Sequence, residues 1–257
     1  MSYSKRTKNL FNPNSREPFK LSRSRIENFL RCPRCFYLDR RLGVDQPAGF
    51  PFNLNSAVDH LLKKEFDVHR ARQTAHPLMK TYTLPLVPFR HEKMDEWREN
   101  FVGVQHLHEP TNLLITGTVD DIWVNPETKE IHVVDYKATS KDGGVGIDAE
   151  WQQGYRNQME MYQWLLRRNG FSVSDTGYFV YANGRRDPAA FDGKLEFTVE
   201  IFPYTGSSAW VDAALQKIKA CLAADQMPEA AETCDHCAYR AAASEVEGAI
   251  GGQTTLF

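Results

Sequence analysis

Three ionisable residues, Asp120, Asp135 and Lys137, have the types and the spacing to carry out chemistry together. Residues 113–124 and 131–137 are predicted to form the two strands of a β-hairpin, because β-branched residues alternate on either side of a turn-forming segment. With the turn centred midway between the runs, Asp120 faces Asp135, and partners across a hairpin have Cα atoms only about 4.5–5.5 Å apart. Alternation along the strand puts Lys137 on the same face as Asp135.

This arrangement suits a divalent metal ion. Two carboxylates held close together repel each other unless a cation lies between them or one keeps a proton. Mg²⁺ or Mn²⁺ binds a few carboxylates and keeps water ligands for chemistry, and the Tyr136 carbonyl is a further candidate ligand. Lys137 could then orient or deprotonate water, or stabilise charge on a phosphate. The alternative is that Asp120, Asp121 and Asp135 are ordinary exposed charges on a solvated sheet.

Three short motifs, in order and at matching spacing, resemble a known nuclease superfamily. They are Gly117-Thr118-Val119-Asp120, Val134-Asp135-Tyr136-Lys137 and Gln158-Met159-Glu160-Met161-Tyr162. This series is similar to the GxxD, DxK and QxxxY motifs of the PD-(D/E)XK nucleases, in particular the RecB-type branch that includes CRISPR-associated adaptation exonucleases. The resemblance extends from about Leu21 to Tyr239. It implies an α/β, restriction-endonuclease-like core in which a mixed β-sheet is flanked by helices.

The resemblance also implies an activity, that of a Mg²⁺- or Mn²⁺-dependent deoxyribonuclease that hydrolyses phosphodiester bonds. Asp120 and Asp135 would bind the metal, and Lys137 would activate water. Gln158 and Tyr162 lie one turn apart on a helix predicted over residues 150–169, and they would position the DNA strand. We expect an exonuclease that acts on single-stranded DNA or DNA ends in repair, recombination or phage- or CRISPR-related processing, with a helicase as a candidate partner.

A third metal ligand is expected from the helix predicted over residues 54–72. RecB-type nucleases carry a His on this helix, and here Asp59 and His60 are both candidates, with Glu65 as the next choice. The segment 55–57 reads Asn-Ser-Ala where the family usually has Gly. From spacing alone, His60 is a surface residue, whereas Glu65 falls on the apolar face and needs a partner there.

Four of the five cysteines form two CxxC pairs, Cys32 with Cys35 and Cys234 with Cys237. Two such pairs in an intracellular protein suit a four-thiolate metal site better than disulfides, and the site would join the N- and C-terminal segments. Several RecB-type nucleases hold a [4Fe-4S] cluster with one N-terminal and three C-terminal cysteines, so the resemblance favours a cluster over structural Zn²⁺. Structural Zn²⁺ stays the alternative because this chain has two N-terminal and two C-terminal cysteines. A third possibility is that the four thiols bind no metal. Cys221 is predicted to be a core cysteine.

Charge and composition divide the chain into three parts. Residues 1–41 carry eleven Lys and Arg against three Asp and Glu, a net charge of +8 in a chain whose total is −2. Residues 1–18 are predicted to be a basic, flexible leader that follows a phosphate backbone or is simply solvated. Residues 19–240 are predicted to form one domain. No apolar run reaches the ~20 residues needed to cross a bilayer, and a signal core is absent, so we expect a cytoplasmic protein without a membrane partner.

Residues 241–257 are predicted to be a flexible tail that ends in Gln253-Thr-Thr-Leu256-Phe257. This ending resembles the peptide by which bacterial replication and repair proteins bind the sliding clamp. Leu256 and Phe257 would enter an apolar pocket while Gln253 makes a polar contact. A frayed terminus is the alternative.

Two other functions compete with the nuclease. A non-catalytic DNA-end-binding module of the same fold would bind DNA without metal-dependent cleavage. A clamp-tethered scaffold would need residues 253–257 but not Asp135. The complete motif series favours the nuclease over both.

Overall fold

A computed structural model of the chain describes residues 5–47, 49 and 51–251. In chain order its strands and longer helices are β1 (Phe19–Ser22), α1 (Arg23–Arg31), α2 (Pro33–Arg40), α3 (Asn53–Arg72), α4 (Pro77–Thr81), β2 (Val87–Pro88), α5 (Met94–Arg98), β3 (Val104–His108), β4 (Leu113–Gly117), β5 (Asp121–Val124), β6 (Ile131–Thr139), α6 (Gln153–Arg168), β7 (Thr176–Gly184), β8 (Phe197–Thr205), α7 (Val211–Ala223) and α8 (Asp235–Gly251). No helix in the described part of the chain is long and apolar enough to cross a membrane.

The chain forms two compact units. The terminal unit comprises the described parts of residues 1–49, 109–113 and 214–257, and the sheet unit comprises those of 50–108 and 114–213. We expected a single domain over residues 19–240, and the structure divides that range between the two units. The residues predicted to bind the catalytic metal or to act in catalysis all lie in the sheet unit, whereas the four cysteines predicted to bind a cluster or zinc lie in the terminal unit.

The sheet unit is built on a mixed five-stranded sheet with the strand order β2-β5-β6-β7-β8. All neighbouring strands are antiparallel except β6 and β7, which run parallel. A parallel pair needs a crossover connection, and the chain between β6 and β7 contains α6. This arrangement confirms the predicted mixed sheet flanked by helices.

Helices α3 and α6 pack on different faces of the sheet. Successive side chains of β6 point to opposite faces, so neighbouring residues of this strand contact different helices. Val134 and Tyr136 lie in a buried apolar cluster with Phe66 of α3. Asp135 instead contacts Gln158 of α6. A strand between two helix layers is covered on both faces, so the carboxylate of Asp135 is fully buried.

The β5–β6 hairpin has the predicted register. Asp121 pairs with Val134, and Val124 pairs with Ile131. The side chain of Asn125 accepts hydrogen bonds from the backbone amides of residues 127 and 128, which fixes the turn where it was expected.

The first predicted hairpin strand, residues 113–124, is not continuous. It divides into β4 and β5, and the Val119 amide donates to the Trp97 carbonyl at 3.1 Å instead of to a strand. Gly117 ends β4 against α6, and a Cβ atom there would lie 2.7 Å from a ring carbon of Tyr162. The glycine of the GxxD motif therefore permits close packing of α6, and the three residues after it carry Asp120 out of the strand.

Helix α3 buries a narrower stripe than the sequence predicted. Leu62 and Phe66 are buried, but Leu54 and Leu61 are both 62% exposed. Glu65, expected on the apolar face, is largely exposed and lies 2.8 Å from Nε2 of His76. The prediction of a buried carboxylate was wrong because the buried positions Leu62, Phe66 and Arg70 recur every four residues. Glu65 directly precedes Phe66, and successive residues project about 100° apart around a helix, so Glu65 lies beside this stripe.

In the terminal unit, the described part of the basic leader packs against the rest of the unit. The Arg6 amide donates to the Gly43 carbonyl at 2.9 Å, and the Phe11 amide donates to the Arg40 carbonyl at 2.8 Å. The Arg6 guanidinium pairs with the buried Asp39. The described part of the leader thus makes backbone and ionic contacts within the terminal unit, and its flexibility stays a prediction.

Helix α8 continues to Gly251, so residues 241–251, which we expected in the flexible tail, are helical. Gln253, Leu256 and Phe257 of the predicted clamp-binding peptide lie outside the described residues. The peptide stays a prediction.

Candidate functional site

Asp135 and Lys137 of β6 form an ion pair on the face of the sheet that α6 covers. Asp135 is fully buried and the Lys137 side chain is 15% exposed. Burial alone would lower the pKa of Lys137, but the negative charges of Asp135 and Asp120 raise it above its ordinary value. The ammonium group therefore stays charged beside both carboxylates.

Asp120 lies just before β5, and its two carboxylate oxygens have different partners. One accepts the Tyr136 backbone amide at 3.0 Å, and the other lies 3.1 Å from Nζ of Lys63. The first contact ties Asp120 to the residue between Asp135 and Lys137. The hairpin thus brings the three predicted residues to one place, as the sequence indicated.

Helix α3 adds Asp59 and Lys63, which face Asp120. The Lys63 ammonium lies 2.8 Å from Asp59, four residues earlier on the helix. Burial, followed by the nearby charge of Asp120, raises the pKa of Asp59. His60, one residue along, is exposed. Among the candidates for a third metal ligand, the structure thus places Asp59 beside Asp120, whereas His60 and Glu65 lie elsewhere.

Gln158 and Tyr162 lie behind Asp135 on α6. The Gln158 amide donates to Asp135 at 2.7 Å and to the Tyr162 hydroxyl at 3.1 Å. Both side chains are buried. Gln158 therefore orients the Asp135 carboxylate, and Tyr162 orients Gln158. Their contact with the DNA strand stays a prediction.

A network of buried charged residues around Asp121 holds the backbone at Asp120 in place. Asp121 is fully buried and pairs with Arg70 and with Arg98, the latter at 3.2 Å. The Tyr136 hydroxyl donates to Asp121 at 2.6 Å, and Nε of Arg98 donates to the Asp120 carbonyl at 2.9 Å. Because a buried carboxylate is costly unless it is paired, these contacts fix the backbone on both sides of the site.

The site opens into a cavity of about 290 Å³ lined by Asp59, Asp120, Lys137 and Tyr155, among others. A second cavity of about 360 Å³ shares Lys137 and Tyr155 and is bounded by the glycine-rich loop 143–146 and by Trp151. The Tyr155 ring lies 4.5 Å from Nζ of Lys137. The Trp151 side chain is 65% exposed.

Four further residues at the site were not predicted from the sequence: Lys63, Arg98, Tyr155 and Trp151. Three of them had a signal in spacings that share a helix face, because Lys63 lies four residues after Asp59, Tyr155 three residues before Gln158, and Trp151 four residues before Tyr155. Arg98 had none, since only the folded chain brings it to the site.

The carboxylates fit a hard divalent cation. Asp59, Asp120 and Asp135 supply oxygen ligands, the kind that Mg²⁺ and Mn²⁺ prefer. Burial, and after it the negative charge of Asp120, raises the pKa of Asp59, and a bound cation would favour the ionised carboxylate. They are more widely spaced than the four cysteines described next, with Lys63 and Lys137 lying among them.

Cys32, Cys35, Cys234 and Cys237 come together in the terminal unit, with all four sulfur atoms within 4.8 Å of one another. This confirms that a four-cysteine group joins the N- and C-terminal segments, and the group could bind a metal. Backbone hydrogen bonds with Ala231 and Cys35 lower the pKa of Cys32 to about 7, although burial alone would raise it.

The fifth cysteine, Cys221 of α7, is half-buried and lies outside this group. Burial raises the pKa of its thiol to about 11. A thiol of this kind is unreactive at neutral pH. Cys221 was predicted to lie in the core, but its side chain is only half-buried.

Comparisons with known proteins give one informative match. The profile of the PD-(D/E)XK nuclease superfamily matches residues 52–242, about three quarters of the chain. A comparison with curated protein sequences gives no significant match. A solved structure described as "Crystal structure of SSO0001" is 12% identical over 84% of this chain and 82% of that chain, with a TM-score of 0.35.

The matched range contains the whole carboxylate and lysine site as well as the mixed sheet and helices that position it. A match of this extent shows the family, and the geometry of Asp120, Asp135 and Lys137 agrees with it. The chain therefore belongs to the PD-(D/E)XK nuclease superfamily, which implies a metal-dependent nuclease.

Proposed function

We propose that this protein is a Mg²⁺- or Mn²⁺-dependent DNA exonuclease of the RecB type, related to the CRISPR-associated adaptation exonucleases. The observation that carries the proposal is the Asp135–Lys137 ion pair beside Asp120 at the wall of an open cavity. In this arrangement the two carboxylates can bind a metal ion, and the charged lysine beside them can contact a phosphate. The biological setting is DNA repair, recombination or phage- or CRISPR-related processing.

The ion would be held by Asp120 and Asp135, with Asp59 as the third carboxylate. When bound, a divalent cation supplies Lewis-acid polarisation of the phosphate and lowers the pKa of an attacking water. Gln158 holds Asp135 in place through its 2.7 Å hydrogen bond, and Tyr162 in turn holds Gln158. Mutually bonded side chains of this kind keep a metal ligand in one orientation.

Lys137 supplies positive charge where the phosphorus centre gains negative charge. Its ammonium is held between Asp135 and the face of the Tyr155 ring, so its direction is fixed before substrate arrives. In-line attack on a phosphodiester spreads negative charge over the non-bridging oxygens, and a preorganised cation stabilises that charge.

The second cavity favours an unpaired DNA strand as the substrate. An exposed indole beside a cavity of about 360 Å³ offers a stacking surface for one base, and such stacking contributes roughly 1–3 kcal/mol per base. A duplex would keep its bases inside the helix, away from Trp151. We therefore propose single-stranded DNA or frayed DNA ends as substrate, with the sliding clamp and a helicase as proposed partners.

The test is cleavage of end-labelled single- and double-stranded DNA with Mg²⁺ or Mn²⁺, using anaerobically purified protein. We expect products that shorten from one end, and loss of cleavage in Lys137→Ala with the fold intact by circular dichroism. Lys64→Ala is the matched control, because Lys64 is an exposed lysine on α3 that lines neither cavity.

Two results would reject the exonuclease. DNA binding without cleavage by the folded wild type would identify a DNA-end-binding module. Internal cuts in a circular single strand would identify an endonuclease instead.

A further inference from the structure

The spacing of the four sulfur atoms in the terminal unit identifies what they can bind. The Sγ atoms of Cys32 and Cys237 lie 3.9 Å apart, those of Cys35 and Cys234 lie 3.7 Å apart, and those of Cys35 and Cys237 lie 3.5 Å apart. All four lie within 4.8 Å of one another. Sulfur atoms this close together can surround one metal ion.

One tetrahedral ion requires this spacing. A Zn–S bond is about 2.3 Å long, so two thiolates at the corners of a tetrahedron around zinc are about 3.8 Å apart. The three distances given above bracket that value, and the other three sulfur pairs exceed it by at most about 1 Å. Small movements of the sulfur atoms would therefore admit a zinc ion.

A [4Fe-4S] cluster requires a different spacing. Each thiolate binds a separate iron at a separate corner of the cluster, so the thiolate sulfurs lie outside it and are roughly 6 Å apart. The 4.8 Å limit on every sulfur pair here leaves no room for four iron and four sulfide atoms between them. The four cysteines do not fit the cluster that the resemblance favoured.

The local backbone suits four thiolates around one cation. Cys32 is the N-cap of α2 and Cys35 lies in its first turn, while Cys234 directly precedes α8 and Cys237 lies in that helix's first turn. Both pairs thus lie at helix N-termini, where backbone N–H groups carry partial positive charge and stabilise thiolates. The thiolate is the form of cysteine that binds a metal ion.

We propose that Cys32, Cys35, Cys234 and Cys237 bind one Zn²⁺ ion as a structural site. All four ligands come from the protein, so no coordination position stays open for catalysis. Zinc is favoured over a single ferrous ion because it binds nitrogen and sulfur ligands more tightly in the general affinity order. Cys35 and Cys237 are 202 residues apart in sequence, so the ion closes a loop that spans most of the chain.

The experiment is elemental analysis of the full chain, purified anaerobically from cells grown with added iron and zinc. We expect one zinc per chain, no acid-labile sulfide and no visible absorption. Protein reconstituted with Co²⁺ should show the intense visible bands of tetrahedral thiolate coordination. Bound iron, with or without sulfide, would overturn the proposal, and so would folded protein without metal.

Variants locate the ion. Cys237→Ser should lose the zinc and unfold at a lower temperature, whereas Cys221→Ser should keep one zinc per chain, because Cys221 lies outside the group. Zinc retained by Cys237→Ser would contradict the assignment. If Cys237→Ser does not fold, the cobalt spectrum of the wild type still decides. None of these measurements depends on nuclease activity.

Discussion

The ammonium nitrogen of Lys63 lies 3.1 Å from a carboxylate oxygen of Asp120, across the gap between α3 and the start of β5. The same nitrogen lies 2.8 Å from Asp59. One lysine thus pairs with two of the three carboxylates that we propose as metal ligands. A divalent cation at this site has to displace Lys63 or share its partners.

Lys63 should therefore weaken metal binding. In Lys63→Met the competing positive charge is gone, and we expect the Kd for Mn²⁺ to fall about tenfold, the effect of roughly 1.4 kcal/mol. Titration calorimetry on the metal-free protein measures this directly. Lys64→Met controls for the loss of a lysine from α3, and equal Mn²⁺ affinity in both variants would show that Lys63 does not compete.

Gln158 should act on catalysis through Asp135. We expect Gln158→Leu to lower kcat by about tenfold or more with little change in KM, because it releases the Asp135 carboxylate without touching substrate. Mn²⁺ affinity should fall in parallel, which a role confined to packing would not cause. Gln153→Leu, at an exposed position on the same helix, should leave all three quantities unchanged.

Arg98 should be among the residues most important for stability in the sheet unit. It contacts the buried Asp121 as well as the Asp120 carbonyl. Removing one partner of a buried ion pair costs about 3–5 kcal/mol, so Arg98→Met should lower the free energy of unfolding in urea by that order. Arg90→Met, at an exposed site, should cost less than about 0.5 kcal/mol. Similar losses in both variants would refute the role of the network.

Trp151 should determine affinity for unpaired DNA. We expect Trp151→Ala to raise KM for single-stranded DNA about tenfold with kcat nearly unchanged, because one base loses its stacking partner. Phe191→Ala removes a similarly exposed aromatic ring, 74% accessible, away from both cavities. An equal effect of the two substitutions would mean that no base stacks on Trp151.

Lowering the pH should weaken the buried charge network of Arg70 and Arg98, because it protonates Asp67. Burial alone would raise the pKa of Asp67, but hydrogen bonds from Arg70 and Arg98 lower it below its ordinary value. A lowered pKa means that the stabilisation is complete above the unfolded-state pKa of about 3.9 and is lost as the pH falls through the folded-state value. Asp67→Asn should thus destabilise the protein more at pH 6 than at pH 3.

Urea unfolding at both pH values measures the Asp67 effect. Asp95→Asn, at an exposed position on α5, is the control. A destabilisation of Asp67→Asn that does not depend on pH would show that its charge is unimportant.

Local patterns in the sequence determined the hairpin register, the extents of α3 and α6 and the two CxxC pairs. Each depends on residues close together in the chain: alternation fixes which side chains share a strand face, and the Asn125 turn fixes which residues pair. Asp120, Asp135 and Lys137 could be brought together in this way because one hairpin carries all three.

Only the tertiary structure decided the rest. The break after Gly117 arises from close packing of Tyr162, and the burial of Asp121 depends on Arg70 and Arg98, which lie more than twenty residues earlier in the chain. The spacing of the four sulfurs was equally hidden, since a CxxC pair reads the same around zinc or a cluster. Contacts between distant segments form by packing and charge compensation in three dimensions, and a linear pattern does not record them.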